Sequence, residues 1–204
     1  VTFWAIVVAA GSGTRFGGPK HQVRLADRPL WEIARATLVD AGAASVVVVG
    51  DVDGAIAGGP RRRDSVAAGL TQIPPEVEFV LVHDAARPLA SVKLAAAVAS
   101  RIARGDIDAV VPAIEVTDAV KRVGADGRVT SVDRTDLRVV QTPQGFRAAS
   151  LRAAHDSITG DAADDAELIE RWGGSVALVP GEAANFKITY ESDVAVAAAL
   201  LEAR

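Results

Sequence analysis

The side chains of this chain best suited to handling phosphate are Arg15, Lys20, Asp84, Lys187 and the run Arg61-Arg62-Arg63. Arg15 and Lys20 stand in Ala9-Ala10-Gly11-Ser12-Gly13-Thr14-Arg15-Phe16-Gly17-Gly18-Pro19-Lys20, directly after the apolar run Phe3-Trp4-Ala5-Ile6-Val7-Val8. A strand ending in a glycine-rich loop exposes backbone N–H groups that cradle phosphate oxygens. Gly11 and Gly13 are thus backbone candidates, and Arg15 and Lys20 supply the positive charge a triphosphate needs. A dinucleotide fingerprint fails at Phe16, where its third glycine belongs, and a Walker loop fails because Gly18-Pro19-Lys20-His21 replaces Gly-Lys-Ser/Thr. The competing reading is a glycine-rich βα turn with solvated charges.

Asp84 closes the run Val82-His83-Asp84-Ala85-Ala86-Arg87-Pro88, where an apolar strand delivers an acid to a sheet edge. Mg²⁺ takes one or two carboxylates together with substrate phosphate oxygens, so Asp84 facing the phosphate loop is the metal-ligand candidate. The alternative is that Asp84 pairs with Arg87 or caps the following turn. His83 reads as a hydrogen-bonded structural residue and carries no assigned role. Arginines opening a helix do not offset its dipole, so Arg61, Arg62 and Arg63 are either turned to a ligand, Arg62 being the candidate, or solvated. Lys187 sits in a short apolar strand, Asn185-Phe186-Lys187-Ile188-Thr189, and an anionic substrate is a reasonable partner for it.

The elements that must position these groups alternate short apolar runs with helical patterns, the signature of βα units and a mostly parallel sheet flanked by helices, a Rossmann-like α/β fold. Strands are expected at 3–9, 45–49, 77–83, 108–112, 138–141 and 175–179, and helices at 29–41, 64–72, 91–104, 147–156, 163–172 and 192–203, with Ser192-Asp193 as a helix start. Ligands in such sheets bind outside the carboxyl ends of the strands. Residues 116–134 depart from the pattern and read as a β-hairpin turning at Gly124-Ala125-Asp126-Gly127. Two strands cannot bury a face alone, so this arm, at about 115–134, packs on its own domain or on a second subunit, with a homodimer the more economical choice. An ordinary edge hairpin of the main sheet is the alternative.

The 204 residues fit one large domain with a substantial core, rich in alanine and valine and poor in aromatics. A net charge of -4 argues against nucleic acid as the main partner. Zero cysteines exclude a disulfide framework, a thiolate nucleophile and a zinc-thiolate site, and point to a cytoplasmic protein. The sequence shows no secretory leader pattern, and no apolar run approaches the roughly 18 residues of a membrane span, so a soluble chain is expected.

The ordered motifs Ala-Ala-Gly-Ser-Gly-Thr-Arg…Pro-Lys, Arg-Arg-Asp-Ser-Val, Val-His-Asp-Ala-Ala-Arg-Pro, Val-Asp-Arg, Gln-Thr-Pro-Gln-Gly-Phe and Asn-Phe-Lys-Ile-Thr span Ala9 to Thr189. In this order they resemble the 2-C-methyl-D-erythritol 4-phosphate cytidylyltransferase family, whose first motif is shared by many sugar-nucleotide transferases. The resemblance implies a nucleotide-diphospho-sugar transferase fold, CTP and an alditol phosphate as substrates, Mg²⁺ on Asp84, and a homodimer embraced by β-arms. It assigns Arg15 and Lys20 the transition-state charge, and Arg134 and Lys187 the acceptor phosphate, with Arg87 and Thr142 as further substrate contacts. It places the base against backbone groups of Ala9, Ala10 and Gly59 and the Ser65 hydroxyl.

Ala119, Ala163, Ala184 and Pro60 depart from the family's usual residues, and His21 separates Lys20 from Gln22. A cytidylyltransferase for another alditol phosphate, such as ribitol 5-phosphate, is the near alternative, and a non-catalytic nucleotide-binding module the distant one.

Overall fold

The computed structural model describes residues 1–11, 16, 18 and 23–203. Along the chain run β1 (Phe3–Val8), β2 (Arg24–Leu25), β3 (Arg28–Pro29), α1 (Leu30–Asp40), β4 (Ala43–Val49), α2 (Arg62–Leu70), β5 (Phe79–Asp84) and α3 (Val92–Ile102). There follow β6 (Ala109–Glu115), β7 (Val120–Val123), β8 (Val129–Val132), β9 (Arg138–Val140), β10 (Gln144–Arg147), α4 (Ala148–Ser157), α5 (Asp165–Trp172), β11 (Val176–Pro180) and α6 (Ser192–Glu202).

The main sheet is seven-stranded, in the order β11-β6-β10-β5-β1-β4, with β9 added beside β6. Strands β4, β1 and β5 are parallel neighbours, as are β6 and β11, while β10 runs antiparallel between β5 and β6. The expected parallel α/β sheet is therefore present, with β10 and β9 reversed. The β5 strand is buried along its whole length, as a central strand covered on both faces must be. Ile6, Val80, Val82 and Phe146 pack on one face with residues of α2, α4 and α5; Phe3, Ala5, Val7, Leu81 and Val110 pack on the other with α1 and α3.

Register places the chemistry. Val8 lies opposite Val49 on one side and Asp84 on the other, so β1, β4 and β5 end on one line. Gln144 lies opposite Val82 on the antiparallel β10, which brings the preceding Thr142 back beside Asp84.

Two expectations about local structure are corrected. Helix α2 starts two residues early, at Arg62, where the Arg61 N–H and guanidinium both donate to the Asp64 carboxylate and hold the first turn. Residues 185–189 form no strand; Ile188 is buried and its N–H donates to the Ala86 carbonyl at 2.8 Å. Helix α6 begins at Ser192 as expected, with Asp193 supplying the bonds of the Ser192-Asp193 start. The Asp193 carboxylate accepts the Thr189 and Tyr190 N–H groups at 2.7 and 2.8 Å.

The hairpin is present as β7 and β8, which among the described residues pair only with each other. This removes the alternative of an edge hairpin of the main sheet. Its turn needs a glycine at Gly127, where φ is +79°. Val123 and Val129 are exposed on it, and Leu137, Val139 and Val140 beyond it are exposed as well. Among the described residues, no helix is long and apolar enough to cross a membrane.

Candidate active site

Asp84 sits at the carboxyl end of β5 with both oxygens engaged. Arg62 Nε donates to Oδ1 at 2.9 Å and Lys187 Nζ to Oδ2 at 2.7 Å. The carboxylate is one-tenth exposed, whereas the Lys187 side chain is 37% exposed, so the pair opens to solvent on the lysine side. Burial alone would raise the Asp84 carboxyl, but Arg62 and Lys187 outweigh it and hold the group well below the ordinary carboxylate range. The pairing with Arg87 weighed above is not formed. Arg87 donates instead to the Asn185 carbonyl at 2.7 Å and the Val140 carbonyl at 3.3 Å, and burial pulls its pKa down.

Arg62 bridges two acids. Its Nη1 donates to Asp165 Oδ2 at 2.5 Å, and Asp165 Oδ1 lies 3.1 Å from His155 Nε2. The two carboxylates outweigh burial and raise the pKa of Arg62 further. Arg61 therefore stays exposed and pairs within its own turn, whereas Arg62 and Arg63 are drawn inward by acceptors from several elements. Arg61 binds Asp64, Arg62 binds Asp84 and Asp165, and Arg63 donates to the His155 and Gly160 carbonyls. The His155 carbonyl is one that the end of α4 would otherwise leave unpaired.

The groups assigned to the base also meet, but not through free side chains. The Ala9 N–H donates to the Val49 carbonyl at 2.7 Å, and a Cβ added at Gly58 would lie 2.3 Å from the Ala10 Cβ. Ser65 is buried, accepts the Gly59 N–H at 3.1 Å and lies 3.3 Å from the Arg61 carbonyl. Its hydroxyl therefore ties the Gly59 loop to the first turn of α2. Gly11 is exposed, and among the described residues no atom lies within 4 Å of where a Cβ would stand.

Thr142 is held by internal partners in the same way. It is buried, accepts the Asp84 N–H at 3.0 Å and lies 2.8 Å from His83 Nδ1, so it fixes the end of β5 rather than facing solvent. Burial pushes the His83 imidazole down from 6.5 to about 4, leaving it neutral near pH 7, in keeping with a structural role. Asn185, which the sequence does not single out by itself, donates to the Thr142 carbonyl at 2.9 Å and to Gln141 Oε1 at 3.3 Å. It ties the Lys187 segment to the strand end. Arg134 is not brought to this cluster. It is exposed at the base of the arm and donates to the Val116 and Thr117 carbonyls. Gly13, Arg15 and Lys20 lie outside the described residues.

Among the described residues no group of three or more metal-ligating side chains occurs. Asp84 nonetheless fits a hard cation shared with phosphate. Each of its oxygens accepts one hydrogen bond and keeps lone-pair capacity, and Mg²⁺ bound with phosphate oxygens requires only one or two carboxylates.

The chain matches the family model for 2-C-methyl-D-erythritol 4-phosphate cytidylyltransferase over residues 3–203. It is 42% identical over 216 residues to the enzyme of that name from Rhodococcus jostii, covering 97% of this chain and 94% of that one. It is 40% identical over 225 residues to the bifunctional enzyme IspD/IspF of Solidesulfovibrio magneticus, of which it spans 56% while 96% of its own length is matched. The crystal structure of 2-C-methyl-D-erythritol 4-phosphate cytidylyltransferase from Thermus thermophilus superposes with a TM-score of 0.82 at 35% identity, covering 97% of this chain and 98% of that one.

Proposed function

Because the chain belongs to the 2-C-methyl-D-erythritol 4-phosphate cytidylyltransferase family, we infer that it transfers the cytidylyl group of CTP to 2-C-methyl-D-erythritol 4-phosphate, in the non-mevalonate route to isoprenoids. The observation that carries this reading is the cluster at the end of β5, where Asp84 is gripped by Arg62 and partly exposed Lys187, level with the end of β1. An acid flanked by two fixed cations suits a polyphosphate accompanied by a divalent cation.

The acceptor's phosphate monoester is already a nucleophile and needs no deprotonating base, so positioning and charge neutralisation carry the catalysis. One acceptor phosphate oxygen forms the new bond to the α-phosphorus as the bond to the pyrophosphate oxygen breaks, and pyrophosphate leaves with that electron pair. Arg15 and Lys20 stabilise the negative charge that grows on the α-phosphate and leaving group. Lys187 orients the acceptor phosphate, and the Gly59 loop, held by Ser65, forms the base pocket with Ala9 and Ala10. Arg87 and Arg62 serve the site by holding the 185–187 segment and Asp84. Asp84 would hold Mg²⁺, which when bound would neutralise the triphosphate and favour departure of pyrophosphate.

The chain forms one domain, and the β7–β8 arm joins two copies into a homodimer. Exposed Val123, Val129, Val139 and Val140 support this reading, and so does the absence of any further strand partner for the arm among the described residues. Arg134, which donates to the Val116 and Thr117 carbonyls of its own chain, then serves the acceptor phosphate in the partner's site. Incubation of the protein with CTP, Mg²⁺ and 2-C-methyl-D-erythritol 4-phosphate is expected to give the CDP-alditol and pyrophosphate in equal amounts by mass spectrometry. Release of CMP without a CDP-alditol would overturn the assignment.

A further inference from the structure

Behind Asp84 lies a second acid that the proposed chemistry does not use. Asp165 opens α5, and its side chain is 1% exposed, so it cannot meet a substrate held at Asp84. Its two oxygens are taken by Arg62 Nη1 at 2.5 Å and His155 Nε2 at 3.1 Å. Lys187, Asp84, Arg62 and Asp165 thus form a row of alternating charges, two positive and two negative. Only the Lys187 end opens widely to solvent.

We propose that Asp165 is a positioning residue that sets the charge of the phosphate and metal site through Arg62. Its buried negative charge balances Arg62, so Asp84 can accept a divalent cation although two cationic side chains lie against it. Asp165 also anchors one edge of the guanidinium, keeping Nε on Asp84 Oδ1 and preventing the fork from turning wholly onto Asp84. Burial makes the effect strong, because charges shielded from water interact at a lower effective dielectric and are poorly screened by salt. The low pKa of Asp165, where Arg62 and His155 outweigh the opposing effect of burial, agrees with a carboxylate that stays charged.

Removing that charge shifts the site by one positive unit, with opposite consequences for a cation and an anion. This inference rests on the reading of Asp84 as the metal ligand of a CTP site. Its test is the ratio of CTP affinities measured by calorimetry in excess Mg²⁺ and in EDTA. Asp165→Asn is expected to tighten CTP in EDTA and weaken it in Mg²⁺, lowering the ratio by about tenfold or more. A merely structural loss would weaken both. Arg62→Met is expected to move the ratio the other way, and the double variant Arg62→Met/Asp165→Asn to return it to within about threefold of the parent, because the row is again balanced.

The double variant also removes both partners of a buried pair, which proteins tolerate better than removal of one. It keeps the test decisive if Asp165→Asn alone does not fold. Parallel loss of both affinities in Asp165→Asn, or a double variant no closer to the parent than Arg62→Met, would overturn the inference. A parent whose CTP binding ignores Mg²⁺ would instead refute the metal role of Asp84.

Discussion

Thr142→Val keeps the shape of the side chain and deletes one oxygen, and the structure sets what that oxygen is worth. Thr142 Oγ1 accepts the Asp84 N–H at 3.0 Å and pairs with His83 Nδ1 at 2.8 Å, at a residue 4% exposed. Valine leaves a backbone N–H and a ring nitrogen buried without those partners, each costing about 1 to 3 kcal/mol. Relaxation recovers part of this, so a net destabilisation of about 3 kcal/mol is expected. For a domain of this size that corresponds to a fall in Tm of roughly 6–12 °C. Urea unfolding should show a lower midpoint at unchanged slope. Thr142→Ser retains the hydroxyl and is expected to lose only about 1 kcal/mol for the missing methyl. A Thr142→Val protein as stable as its parent, or a serine variant as damaged as the valine one, would refute the hydrogen-bond reasoning.

His83 is held neutral by burial, its pKa lowered from 6.5 to about 4. The unfolded chain therefore binds a proton that the folded chain refuses between those values. This contribution is fully present above pH 6.5 and is lost as pH falls toward 4, by about 3 kcal/mol. Urea midpoints measured across that window should fall in the parent and fall less in His83→Gln; equal slopes would contradict the assignment. Gly59→Ala places a Cβ 2.4 Å from the Asp64 Cβ, so the loop must move. CTP affinity by calorimetry should drop at least about tenfold, and unchanged affinity would remove this loop from the base pocket. Lys20→Ala or Arg15→Ala should abolish most turnover in a pyrophosphate-release assay while leaving the far-UV spectrum unchanged; near-normal rates would remove their transition-state role.

Sequence patterns are most informative where the physics is local. Strand β1, the start of α3 at Ser91, whose hydroxyl accepts the Leu94 N–H at 3.0 Å, and the hairpin turn all follow from neighbouring residues. Strand β10 escapes such reading, because Gln144-Gly145-Phe146-Arg147 has neither length nor alternation and becomes a strand only by filling the gap between β5 and β6. The site divides in the same way. Asp84 is legible as an acid ending an apolar run. The partners of Arg62 lie 22 and 103 residues away, and Lys187 meets Asp84 across 103 residues, so no local pattern could show that the arginine is engaged internally. Asp165 is hidden further, since beside the capping Asp164 it reads as another acid in a first turn.

Acceptor choice tests the central claim most directly. Mg²⁺-dependent pyrophosphate release from CTP should be measured with 2-C-methyl-D-erythritol 4-phosphate and ribitol 5-phosphate at matched concentrations. Rapid release with the methylerythritol phosphate and little with the ribitol phosphate is the expected result. Preference for the ribitol phosphate, or no release with either, would contradict it.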